Sequence, residues 1–124
     1  MDLSITVRAD TALCRVSGDV DISCSPVLRA RLLAALEPPR ARLILDLSEV
    51  TFMDASGLGA LMAARRRSLL LGGGVRLVAP SSPVRRVLEA SGLHSRFPVE
   101  VGMASRQAAV ASARPNSESV QLTS

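Results

Sequence analysis

Apolar and polar residues alternate from the start of the chain. Leu3, Ile5 and Val7 are separated by Ser4, Thr6 and Arg8, the period-two pattern of a strand with one buried face. Asp10 marks a turn. Ala12, Cys14 and Val16 then alternate with Leu13, Arg15 and Ser17, which predicts a second strand and a hairpin. Gly18-Asp19 ends that strand, and Val20 and Ile22 continue as an extended exit flanked by Asp19 and Asp21. The period then changes. Ser25-Pro26 predicts a helix start: Ser25 suits the N-cap, and Pro26 suits the first helical position, where a missing N–H costs nothing. Leu28, Leu32 and Leu36 follow at helical spacing, and Pro38-Pro39 stops the helix.

The short apolar run Leu43, Ile44, Leu45 and Leu47 predicts a central strand buried on both faces, with Asp46 as an unusual member that ends it and bonds loop N–H groups. Ser48 to Ala55 is expected to be a connecting loop, anchored by Val50, Phe52 and Met53. Ser56-Gly57 opens a second helix, with Leu58, Leu61, Met62 and Leu69 as expected core positions. Arg65, Arg66 and Arg67 suit its C-terminal dipole, and Gly72-Gly73-Gly74 closes it. Val75, Leu77, Val78 and Ala79 predict another strand. Ser82-Pro83 repeats the helix start, Val84, Val87, Leu88 and Ser91 mark the inner face, and Gly92 ends it. A short strand over 97–101, an Ala-rich helix over 103–112 and a disordered tail over 113–124 complete the expectation. The order implies an α/β domain with a mixed four- to five-stranded sheet packed against about four helices: an antiparallel hairpin followed by right-handed parallel β-α-β units.

Composition narrows the functions open to such a domain. A chain of 124 residues with 48% hydrophobic content suits one domain with a real core, here residues 1–112. No apolar run reaches the ~20 residues of a membrane helix, and no basic-then-apolar segment marks a signal peptide, so the expected location is cytoplasmic, without membrane contact. All 15 basic residues are Arg. Residues 1–56 hold six Arg against eight acids, and residues 57–124 hold nine Arg against three acids. A basic half invites a nucleic-acid reading. The chain has no Trp or Tyr and only two Phe, so platforms for base stacking are missing and no direct nucleic-acid contact is expected.

Catalytic chemistry finds little support. His94 is the single His and has no base–orienter pair in view. Ser56 lacks the Gly two positions earlier that a nucleophile elbow needs, and no Asp-then-His order follows it. The triple glycine lacks the Lys-Ser/Thr of a phosphate-binding loop. Cys14 and Cys24 have no His cluster, and Cys14 sits on an apolar-facing strand position that fits simple core. No enzyme activity, cofactor or metal is therefore expected. The stretch that remains is 46–59, which leaves a buried strand and enters a helix with two Asp and two Ser. The bland reading of Ser56 is an N-cap, worth about 1 kcal/mol.

That stretch resembles the signature of the STAS domain family, and within it the anti-sigma factor antagonists. The family pattern runs Asp-Leu-Ser, an apolar spacer, then Phe-x-Asp-Ser/Ala-Ser/Thr-Gly-Leu. Asp46-Leu47-Ser48, Phe52, Asp54, Ser56, Gly57 and Leu58 match it. The resemblance extends to Gly18-Asp19-Val20-Asp21, to Val75-Arg76-Leu77-Val78, and to the segment from Ser82 through Leu93, so it spans residues 3 to about 101. It implies an antagonist that captures an anti-sigma factor serine kinase and thereby frees a sigma factor. It implies Ser56 as the residue which that kinase phosphorylates to end capture, and a separate phosphatase that resets it. Asp19, Asp21, Asp54, Ala55, Ser56 and Gly57 are the implied partner-binding positions. Ala55 stands where the family often has a second hydroxyl, which leaves Ser56 as the single acceptor. Two alternatives stay open: a non-switching STAS subunit of a larger signalling or membrane-transport complex, and a small enzyme or nucleotide-binding protein.

Overall fold

A computed structural model of the chain describes residues 1–100, with side chains described through residue 98. Strands β1 (Asp2–Arg8) and β2 (Thr11–Val20) form the expected antiparallel hairpin, paired from Asp2↔Ser17 to Arg8↔Thr11. The two residues between them include Ala9 at φ 51°, the left-handed geometry that matches the twist of a tight hairpin. Helix α1 (Ser25–Ala35), strand β3 (Arg42–Met53), helix α2 (Ala55–Leu70), strand β4 (Gly74–Val78), helix α3 (Ser82–Ser91), a 3₁₀ turn (His94–Arg96) and strand β5 (Val99–Glu100) follow. The sheet order is β1-β2-β3-β4-β5, and every pair after the hairpin is parallel. The α/β class and mixed sheet are as expected. The helix expected over 103–112, the tail and the domain boundary at 112 lie outside the described residues.

The pleat sorts the core. Ala12, Cys14 and Val16 of β2, Leu43, Leu45 and Leu47 of β3, and Val75 and Leu77 of β4 are buried and form one cluster with Leu28 and Leu32 of α1, Leu58, Leu61 and Ala64 of α2, and Val84 and Leu88 of α3. Burial pushes the Cys14 thiol up to about 12, against the opposing pull of the Arg31 charge, so it is an inert core group. On the opposite pleat, Asp46 is buried beside half-buried Ile44. Its carboxylate accepts from the Ser48 N–H (3.0 Å) and hydroxyl (2.7 Å) and faces exposed Arg15 at 3.5 Å.

Five local expectations are corrected. Val7, expected on the buried face of β1, is exposed at the hairpin end. The segment 48–53, expected as loop, continues β3: beyond Asp46 the strand stays paired to β2 through Ser17↔Glu49, Gly18↔Val50, Asp19↔Phe52 and Val20↔Met53. Register shifts at Arg15/Ser17 and Gly18/Asp19 break the alternation there and hide the strand from a periodicity argument. Phe52 faces outward, 46% exposed, while Val50 and Met53 are buried as expected. Helix starts are shifted by one residue. Cys24 and Ser81 flank α1 and α3, neither cap position carries a side-chain hydrogen bond, and Ser25 is a buried first residue of α1. In α2, Leu69 faces solvent and Ser68 is buried in its place. Its hydroxyl donates to the Ala41 carbonyl at 2.5 Å, which satisfies it and makes a polar residue suitable inside. Ser91 of α3 is likewise exposed, because the helix inner face is carried by Val84 and Leu88.

Candidate functional site

The carboxyl ends of parallel strands β2 and β3 lie side by side, and both chains leave the sheet there into helices. Such an edge is where open α/β sheets present loops to partners. Val20 closes β2 against Met53, and the Asp54 N–H donates to the Val20 carbonyl at 3.4 Å. This pairing brings Asp19, Asp21 and Asp54 to one edge from positions over thirty residues apart in the chain.

Asp54, not Ser56, caps α2. Its φ of −114° and ψ of −171° are extended, and its Oδ1 accepts from the Ser56 N–H at 2.9 Å and the Gly57 N–H at 3.3 Å. The N-cap reading of Ser56 is thereby corrected: Asp54 supplies the cap because its carboxylate reaches the first-turn donors and matches the positive end of the dipole. The Ser56 hydroxyl instead donates to the same Oδ1 at 2.5 Å. Ser56 is half-buried and lines a groove between α1 and α2. These hydrogen bonds, led by the one from Ser56, hold the Asp54 carboxyl below the usual carboxylate range, while the neighbouring Asp21 charge opposes them. A depressed native value means that the cap contributes above the ordinary carboxylate range and is lost as pH falls through the lowered native value. Urea midpoints of wild type and Asp54→Ala should therefore differ at neutral pH and converge as the pH falls below the ordinary carboxylate range. A gap that persists at the acid end contradicts the capping role.

Asp21 repeats the arrangement at the start of α1. Its Oδ1 accepts from the Ser23 N–H (3.0 Å) and hydroxyl (2.5 Å), and its carbonyl accepts from the Cys24 and Ser25 N–H groups. The Ser23 bonds hold the Asp21 carboxyl low as well. Asp19 accepts from the Thr51 hydroxyl at 2.6 Å, a tie across the strand pair. Ser23 and Thr51 were not foreseen. The spacing Asp-x-Ser occurs at 2–4, inside β1, and at 21–23, 46–48 and 54–56, where the carboxylate accepts from the hydroxyl and N–H two residues on; outside a strand it was the available signal for Ser23.

Ala55 is exposed at the first position of α2, whereas Gly57 is buried. A Cβ on Gly57 would stand 2.9 Å from Met53 Cγ and 2.9 Å from Val20 Cγ1. Its place in the site is therefore underneath: it lets the first turn of α2 settle onto the strand ends. Gly57→Ala forces core side chains apart and should cost about 1–3 kcal/mol, read as a lowered urea midpoint. An unchanged midpoint contradicts this close approach.

Among the described residues no group of three or more His, Cys, Asp or Glu side chains is placed to hold a metal ion, and no helix is long and apolar enough to cross a membrane.

The STAS domain family model matches residues 2–108. The chain belongs to the STAS domain family. Among curated relatives, this STAS domain is 30% identical over 86 residues to an anti-sigma F factor antagonist of Paenibacillus polymyxa, covering 68% of this chain and 74% of that protein. In fold it is similar to the anti-sigma factor antagonist SpoIIAA in its unphosphorylated form, with a TM-score of 0.74 at 24% identity over 94% of this chain and 100% of the other. It is also similar to the Bacillus cell fate determinant SpoIIAA in the phosphorylated form, with a TM-score of 0.68 at 23% identity over 88% and 99% of the two chains.

Proposed function

We propose that this STAS domain is a cytoplasmic anti-sigma factor antagonist, without enzyme activity of its own, that captures an anti-sigma factor serine kinase and releases it on phosphorylation at Ser56. The observation that carries the reading is the Ser56 hydroxyl, held by Asp54 at a strand-to-helix edge ringed by Asp19 and Asp21. The curated relative bears the antagonist name, and SpoIIAA is known in both phosphorylation states. The kinase supplies nucleotide and metal, and a separate phosphatase restores the hydroxyl. Asp19, Asp21, Asp54, Ala55 and Ser56 form the surface that meets the partner, with Gly57 seating the helix beneath them.

The hydrogen bonds sharpen the switch. A phosphoryl group on Ser56 adds about −1.5 to −2 charges and removes the proton that Asp54 accepts. The first-turn N–H groups of Ser56 and Gly57 already serve Asp54, so phosphate and carboxylate compete for the same donors. Like charges then repel at an edge that also holds Asp21, and the local surface seen by the partner changes in sign density and shape. Calorimetric titration of purified anti-sigma factor kinases tests the reading. Wild type and Ser56→Ala should both bind one of them, and only wild type should lose binding after incubation with ATP. Binding that is unaffected by ATP in wild type contradicts the switch.

A further inference from the structure

Between α1 and α2 runs a groove of about 560 Å³ that opens beside the Ser56 hydroxyl. Ile22, Arg29 and Ala30 line one side, and Ser56, Gly59 and Ala60 the other. Its mouth is apolar but uncovered: Ile22 is 71% exposed. Gly59 lies one turn into α2, with ordinary helical backbone, and a Cβ added there meets nothing within 4 Å. Neither packing nor a left-handed φ therefore requires glycine. A glycine inside a helix lowers its stability relative to alanine, so this position carries a cost that the fold does not explain. What glycine does at this point is keep the groove wall low next to Ser56. Gly57, two residues earlier, makes the contrast, since there a Cβ collides with Met53 and Val20.

Charge adds a second distinction. The edge beside the groove is acidic through Asp19, Asp21 and Asp54, whereas Arg29 is the one charged residue among those lining it. An occupant complementary to this pair of surfaces carries an apolar side chain with a carboxylate next to it for Arg29, and a basic group for the acidic edge. We infer that the α1–α2 groove seats an apolar side chain, flanked by a carboxylate, from the same anti-sigma factor kinase that approaches Ser56, and that Gly59 and Arg29 select it. This rests on the proposed function and extends it from the phosphorylated edge to a specificity pocket.

The probe is the purified anti-sigma factor kinase that wild type binds, titrated by calorimetry. Gly59→Leu fills the groove and should weaken binding at least about tenfold, as should Arg29→Glu, which reverses the charge. Gly59→Ala should raise the melting temperature by roughly 2 degrees or more while weakening binding about threefold, a split that a purely structural glycine does not produce. Leu70→Ser, at an 81% exposed site at the far end of α2, should bind within about twofold of wild type. If Gly59→Leu and Arg29→Glu both bind within twofold while Ser56→Asp does not bind, the groove proposal is overturned and the function stands. A lowered melting temperature in Gly59→Ala overturns the argument that the fold does not need this glycine. If no anti-sigma factor kinase binds wild type, the proposed function itself fails, and the groove proposal with it.

Discussion

Ser56→Asp is expected to weaken binding of the anti-sigma factor kinase by about 100-fold, while its melting temperature stays within about 5 degrees of wild type. The two halves of this result have separate causes. Binding is lost because a carboxylate at position 56 can no longer donate to Asp54, and a fourth negative charge joins Asp19, Asp21 and Asp54 at the docking edge. Each like-charge contact opposes desolvation of the edge by the partner. Stability is nearly kept because the disturbance is confined to the first turn of α2. The leucines that fasten this helix, Leu58 and Leu61, point into the core and do not sense the change. The repulsion is also tempered by the helix dipole, which favours negative charge at this end. Calorimetry and thermal unfolding on the same preparation read both halves. A variant that binds normally, or that unfolds ten degrees lower, contradicts this division of labour.

Gly73→Ala carries the largest expected cost in stability. A Cβ at Gly73 would lie 1.9 Å from the Ala41 carbonyl oxygen and 2.4 Å from its carbon, both backbone atoms at the entry to β3. A side chain can rotate away from such a contact, but a strand backbone cannot. The same Ala41 oxygen accepts the Ser68 hydroxyl, and the Gly73 N–H donates to the Ser68 carbonyl at 2.8 Å. The Ala41 N–H is itself tied to the Asp10 carbonyl of the hairpin turn. Relief of the collision therefore has to separate the end of α2 from β3 and disturb the hairpin turn. Overpacking of this kind costs about 3 kcal/mol or more, which for a domain of this size is a fall of roughly 10 degrees in melting temperature. Gly72→Ala is the internal comparison: it has open space but a φ of +86°, so its cost is conformational and should be smaller, about 1 kcal/mol. Equal melting temperatures for Gly73→Ala and wild type contradict the close approach.

Much of the fold was legible because its strands and helices bury regular faces. Leu3 and Ile5 of β1 and Ala12, Cys14 and Val16 of β2 face inward as read, while Val7 at the hairpin end does not, and Leu28 and Leu32 set the face of α1. The reading failed where tertiary contacts override local signals. The second half of β3 looked like loop because β-bulges shift its register against β2, and such shifts depend on the partner strand. Ser-Pro dipeptides marked both helix starts to within a residue but misassigned the cap positions, since a buried Ser25 and an unbonded Ser81 are set by packing. In the candidate site, the Asp54-to-Ser56 stretch was visible as a pattern, and only the cap moved: Asp54 rather than Ser56 holds the first-turn N–H groups of α2. The groove beside Ser56 was not legible at all. It is made by residues from two helices, and the sequence carries no mark that Gly59 stands in open space while Gly57 does not.

The most direct test of the account is the site of phosphate transfer. The intact protein is incubated with its anti-sigma factor kinase and ATP, and the modified residue is located by tandem mass spectrometry. The account predicts one phosphate, on Ser56, and none on the Ser56→Ala variant. Phosphate on another residue with Ser56 unmodified, or equal incorporation into Ser56→Ala, contradicts it.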